Sequence, residues 1–141
     1  IRQESDLDVD LPAAQANDEL LLQVLLNLLR NAIEAMGQKG TLRVQTRAHR
    51  PLRFNQGNPG NLGRVHIEVS DTGPGMDEEM ARRVFLPFFT TKELGTGLGL
   101  AISQRIIQQQ GGELRLRSKS GEGATFIIEL PSADAEDRAE E

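Results

Sequence analysis

The sequence predicts an α/β (α+β) two-layer sandwich: a mixed β-sheet with helices on one face. Three observations predict it. Two long segments carry apolar residues at helical spacing, several short segments alternate apolar with polar residues, and the two kinds follow each other in the order β α β β (α) α β β.

The elements follow in turn. "SDLDVDLP" alternates Leu7, Val9 and Leu11 with acids, the pattern of a half-buried strand closed by Pro12. Residues 18–36 predict a helix with Asp18 as its cap. In it Leu21, Leu25, Leu28 and Ala32 recur at helical spacing beside Leu22, Leu26, Leu29 and Ile33, and Gly37 and Gly40 end it. "TLRVQTRA" and "RVHIEVS" are alternating strands, the second with Val65, Ile67 and Val69 on one face, and "PLRFNQGNPGNLG" between them is a long polar loop. Residues 77–85 predict a short helix opened by Asp77, and residues 98–110 a longer one ended by Gly111-Gly112. "ELRLRSKS", the turn "GEG" and "ATFIIELP" close the chain as a hairpin.

A chain of 141 residues suits one domain, expected over 1–131, with residues 132–141 as an acidic disordered tail. The net charge is −5; five acids and one Arg lie in that tail, so the body is near neutral. The body has no basic stripe and the chain no Trp or Tyr, which argues against a nucleic-acid surface. There is no cysteine for a disulfide framework or thiolate metal site, and no apolar run approaches the ~20 residues of a membrane span. No signal peptide is expected before the first strand. The chain begins at Ile1 and is expected to be a segment of a longer protein; a cytoplasmic module without direct membrane contact is the expectation.

Four constellations carry the chemistry. Asn27, Arg30, Asn31 and Glu34 stand at i, i+3, i+4 and i+7, one helix face, opposite the leucines. Asn is a poor helix former, and a carboxamide oxygen can ligate Mg²⁺ beside phosphate oxygens; a solvated polar stripe has the same spacing. In "DTGPGM", Asp71 stands where a strand enters a turn, placed to accept a hydrogen bond from an adenine amine, with Gly73 and Gly75 allowing close approach of a flat ring; alone, the segment is also an ordinary turn. "FLPFFTTK" holds Phe85, Phe88 and Phe89, anchors for a movable flap or plain core residues, and then Thr90, Thr91 and Lys92, donors and a cation suited to phosphate. In "GTGLGLAISQRII", Gly95, Gly97 and Gly99 lead into a helix whose first amides suit a phosphate. The absence of a strand directly before it excludes a dinucleotide-fold reading.

In this order the segments resemble the ATP-binding catalytic domain of bacterial sensor histidine kinases, which share the Bergerat nucleotide fold with gyrase, chaperone and mismatch-repair ATPases. "QVLLNLLRNAIEAM" is similar to the family's N box, "DTGPGM" to its G1 box, "FLPFFTTK" to its F box and "GTGLGLAI" to its G2 box, covering about residues 5–131. The resemblance is greatest to the nitrogen-regulation and metal- or metabolite-sensing branch. It implies ATP and Mg²⁺ as cofactors, Asn31 as the Mg²⁺ ligand, and Asn27 beside the phosphates as a catalytic residue. Asp71 then reads the adenine, Gly73 and Gly75 shape its pocket, and Thr90, Thr91, Lys92, Gly95, Thr96, Gly97, Leu98 and Gly99 line the phosphate side. Residues 76–97 form a lid over them. Many members carry Lys and Tyr three and four residues after the second Asn; here those places hold Glu34 and Ala35, and Lys92 is the candidate for the missing cation, with a catalytic role.

The resemblance also implies a γ-phosphoryl transfer to a histidine on a separate dimerisation domain, with a cognate response regulator as the next partner; the segment is expected to be monomeric and the full-length protein a homodimer. The acceptor histidine of the family is followed by an acid on a long helix. His49 precedes Arg50-Pro51 and His66 lies on a strand, so both are expected at the surface. The alternative is an ATPase-type conformational machine of the gyrase and chaperone group. Those proteins place a Glu one turn before the Mg²⁺-binding Asn as base for water; Asn27 stands there instead, and cannot take a proton. A binding module without catalysis is a third reading, against which all four boxes are intact.

Overall fold

A computed structural model describes residues 1–49, 63–91 and 96–133. The polar loop expected before Arg64 therefore lies, apart from Gly63, outside the described residues, as do Lys92, Gly95 and the tail from residue 134. The elements are β1 (Arg2–Asp6), α1 (Asp18–Met36), β2 (Thr41–His49), β3 (Arg64–Asp71), α2 (Glu78–Arg83), α3 (Gly99–Gln109), β4 (Glu113–Ser118) and β5 (Ala124–Pro131), the order expected. They build one mixed sheet in the order β1-β2-β3-β5-β4, in which β1 runs parallel to β2 and the other neighbours are antiparallel.

Alternation along β3 buries Val65, Ile67 and Val69 and leaves Arg64, His66 and Glu68 on the other face. α1 packs against β3 and α3, and α3 against β4. In α1 every fourth residue is buried: Val24, Leu28, Ala32 and Met36. These meet Ile106, Ile107, Val69, Phe126, Ile128 and Leu130 in one core. Burying a side chain such as Leu28 or Ile128 contributes roughly 1.5–3 kcal/mol, so this single layer between helices and sheet holds the domain together.

Three expectations change. The first strand is Arg2–Asp6, not the later alternating stretch: Asp8 Oδ1 accepts the amide of Asp10, its carbonyl accepts the amide of Leu11, and the resulting turn leaves Leu7 and Val9 exposed. The α1 cap is Asn17, whose side chain accepts the Leu20 amide at 3.0 Å; Asp18 is the first helical residue. The wide leucine stripe is narrower than its periodicity, for Leu22, Leu26 and Ile33 are exposed. At the other end of the chain Ser132 and Ala133, counted with the tail, are held by hydrogen bonds that their amides donate to the carbonyls of Gly63 and Ala13. Among the described residues no helix is long and apolar enough to cross a membrane.

Candidate functional site

The alternation that buries Val65, Ile67 and Val69 delivers one more residue to the same face, Asp71, at the end of β3. Its side chain is 8% exposed. Oδ1 accepts the amides of Gly73 at 2.9 Å and of Ala124, on β5, at 3.3 Å. Burial pushes this carboxyl above the ordinary 3.8, and the two amides oppose the rise without cancelling it. A carboxylate desolvated this way has one oxygen committed to the backbone and remains a strong acceptor for a ligand N–H.

The β4–β5 turn braces the segment that follows. Ser118 Oγ donates to the Gly123 carbonyl at 2.7 Å and accepts the Met76 amide at 2.9 Å, and the Gly121 amide donates to the Pro74 carbonyl at 2.6 Å. Gly123, at φ +77°, lies so close to the Asp71 carbonyl that a Cβ there would overlap it. "GEG", expected only as a hairpin turn, thus shapes the site. Its part in the site depends on β3 and β5 being neighbours, with Asp71 paired to Ala124.

From α1, Asn27, Arg30, Asn31 and Glu34 all reach the same wall of a cavity of about 910 Å³. Asn27 Nδ2 donates to Ser103 Oγ on α3 at 3.1 Å. The start of α3 runs hard against that carboxamide: a Cβ on Gly99 would come within 2.6 Å of Asn27 Oδ1. Asn31 supplies an uncharged carboxamide on this wall. Among the described residues no three His, Cys, Asp or Glu side chains cluster for a metal. A hard cation fits here through an amide oxygen together with a ligand's own phosphate oxygens.

The phenylalanines divide. Phe85 packs on the core, its ring edge-on to Phe126 at 6.3 Å between centroids. Phe88 points out, 75% exposed, at φ +68°, and its amide donates to the Gly97 carbonyl at 2.9 Å. Gly97, at φ +73°, is pressed on the Phe88–Phe89 backbone so closely that a side chain would not fit. That contact joins the phenylalanine segment to the glycine turn. Phe89, Thr90, Thr91 and Thr96 line the cavity between them.

The cavity therefore gathers Asn27, Asn31, Asp71, Gly75, Thr90, Thr91, Thr96, Gly97 and Gly99 of the expected set. Gly73 and Leu98 do not line it; the Gly73 amide donates to Asp71 Oδ1, and Leu98 precedes α3. Lys92 and Gly95 are outside the described residues. Ala35, Met76, Met80, Val84, Leu100, Ala124 and Phe126 add an apolar lining that residue chemistry alone did not point to. His49 and His66 lie on the opposite sheet face, stacked at 6.4 Å, with His66 Nε2 3.3 Å from Glu129. The sheet separates both from the cavity.

A family model described as histidine kinase-, DNA gyrase B-, and HSP90-like ATPase matches residues 16–134. The signal transduction histidine-protein kinase AtoS of Escherichia coli (strain K12) is 43% identical over 127 residues, 90% of this chain and 19% of AtoS. The chain thus spans about a fifth of that curated relative. The solved catalytic domain of histidine kinase ThkA is 32% identical with a TM-score of 0.76, covering 93% of this chain and 80% of that one. A complex of ThkA with a response regulator protein is matched at 29% identity and a TM-score of 0.73, over 96% of this chain and 35% of that one. Full-length ShkA in complex with AMPPNP is matched at 32% identity and a TM-score of 0.76, over 94% and 26%.

Proposed function

Because the chain belongs to the histidine kinase-, DNA gyrase B-, and HSP90-like ATPase family, and within it has the form of a histidine kinase catalytic domain, we propose that it binds Mg-ATP and donates the γ-phosphoryl to a histidine on a separate dimerisation domain of a two-component sensor kinase. The observation that carries this is the pairing of opposite chemistries in one cavity. Buried Asp71 stands in it with apolar Met80, Ala124 and Phe126, while Asn27, Asn31 and Gly99 supply its polar wall.

In this reading the carboxylate of Asp71 accepts the adenine amine, and guanine, with an acceptor at that place, is repelled. Gly73 holds the carboxylate and Gly75 leaves room for the ring. Asn31 holds Mg²⁺, which neutralises phosphate charge when bound. The amides from Gly95 through Gly99, with Thr90, Thr91, Thr96 and Lys92, receive the phosphates. Asn27 orients groups near the γ-phosphate without acting as a base, so water lacks an activating carboxylate at that place. Neither His49 nor His66 reaches the cavity side of the sheet, and the acceptor must come from elsewhere. A response regulator as the next partner is in keeping with ThkA. A monomeric segment in a homodimeric, cytoplasmic kinase completes the proposal, with the domain extended from the expected 1–131 to take in Ser132 and Ala133.

Incubation with γ-labelled ATP tests it. The chain alone should acquire no label and release phosphate slowly; with the dimerisation domain added, acid-labile phosphohistidine should form on that domain. Label at His49 or His66 would defeat the donor-only reading. Brisk phosphate release by the chain alone would favour the conformational ATPase instead.

A further inference from the structure

We propose that Arg30 is the cation that grips the γ-phosphate, from the side of the cavity that opens on the α1–α3 groove; this rests on the nucleotide reading of the cavity. Two concavities meet at α1. One is the 910 Å³ cavity, and the other is a groove of about 270 Å³ between α1 and the start of α3. Asn27, Arg30 and Gly99 form part of the wall of both. A nucleotide anchored by its base at Asp71 extends its phosphates toward the α1–α3 wall, and the terminal phosphate comes to the junction with the groove.

The charges at that wall call for a cation. Among the described residues lining the cavity, Glu34 and Asp71 are acidic, Asn27 and Asn31 are neutral, and Arg30 alone is basic. Arg30 is exposed and forms no ion pair or hydrogen bond among the described residues, so its guanidinium is not committed to a structural partner. Its fork of N–H groups matches phosphate oxygens better than a point charge does. Position also fits: Arg30 lies one turn before Glu34 on the same helix face, and of the two only Arg30 also lines the groove.

In the transfer, the bond from the γ-phosphorus to the bridging oxygen breaks and ADP leaves with the electron pair. A P–N bond forms to the acceptor imidazole, whose proton passes to solvent. Arg30 forms no covalent bond; it holds non-bridging oxygens of the moving phosphoryl while charge redistributes over them.

Calorimetric titration of the full chain with Mg-ADP and Mg-AMPPNP tests the assignment, using Arg30→Ala, Arg30→Lys and Lys92→Ala. Arg30→Ala should weaken AMPPNP binding roughly tenfold and ADP binding less than twofold, because only AMPPNP carries the third phosphate. Arg30→Lys should recover part of the loss. Unchanged affinities, or equal losses for both nucleotides, would overturn the assignment, as would a loss selective for AMPPNP in Lys92→Ala but not in Arg30→Ala. If the unsubstituted chain binds neither nucleotide, the nucleotide reading itself falls, and this assignment with it.

Discussion

Asn27 and Ser103 bind each other across the α1–α3 junction, Nδ2 to Oγ at 3.1 Å, and Gly99 is packed against the other side of the same carboxamide. The Asn27 carboxamide on the cavity wall is thus fixed by two features of α3, one hydrogen bond and one missing Cβ.

The two supports are separable. Ser103 is 2% exposed, and Ser103→Ala should cost about 0.5–1.5 kcal/mol in urea melts through the lost bond. Gly99→Ala should barely lower stability, because the flexible Asn27 side chain can yield, but displacing it should weaken nucleotide binding. Isothermal titration finding full affinity in Gly99→Ala would show that the orientation of Asn27 is unimportant.

Asp71 should couple stability to pH. Its folded pKa lies above the unfolded value because burial disfavours the anion. Folding therefore tightens proton binding, and the stability this contributes is complete below about pH 3.8 and is lost as pH rises through the raised folded value. Ionising this buried carboxyl in the folded protein is therefore a cost to stability. Asp71→Asn retains an oxygen for the Gly73 and Ala124 amides, so at pH 7 it should melt at or above the wild-type temperature with a weaker pH dependence. Its affinity for ADP should fall about tenfold or more, the contribution of a charge-assisted bond. Thermal melts from pH 4 to 8 with parallel titrations read both effects; a variant less stable at pH 7 with intact affinity contradicts them.

The β4–β5 turn offers a matched comparison. Gly121 and Gly123 have φ of +83° and +77°, yet a Cβ at Gly121 meets nothing within 4 Å while one at Gly123 overlaps the Asp71 carbonyl. Gly121→Ala should cost roughly 1 kcal/mol of backbone strain. Gly123→Ala should cost several-fold more and disturb Asp71, weakening ADP binding as well. Equal denaturation midpoints would remove the turn from the site.

Much of this was legible because it is periodic. α1, α3, β3 and the final hairpin follow from residue spacing, and Asp71 falls on the buried face because it extends the series Val65, Ile67, Val69. What spacing could not supply was tertiary. β1 is an edge strand with all five residues exposed, paired to β2 by its backbone, so no side-chain alternation marks it. Leu22, Leu26 and Ile33 satisfy helical periodicity as well as the buried residues do; which side of α1 meets the sheet is decided by the sheet. Ala124 enters the site only because β5 lies beside β3.

The phenylalanines put that distinction to the test. Phe85 and Phe88 are three residues apart and identical in chemistry, and only packing tells them apart. Phe85 meets Phe126 edge to face, and Phe126 is both 4% exposed and part of the cavity wall. Removing the Phe85 ring leaves space beside Phe126 that the α2 segment closes only in part. Phe85→Ala should therefore cost roughly 2–4 kcal/mol and weaken adenine nucleotide binding by loosening the apolar lining. Phe88 is 75% exposed and contributes its amide, not its ring, to the contact with Gly97. Phe88→Ala keeps that amide, and its stability should stay within about 0.5 kcal/mol of wild type. Urea denaturation of the two variants, with ADP titration of each, should separate them clearly. Equal destabilisation would mean that the Phe88 ring is buried in solution and that the division of labour within this segment is wrong.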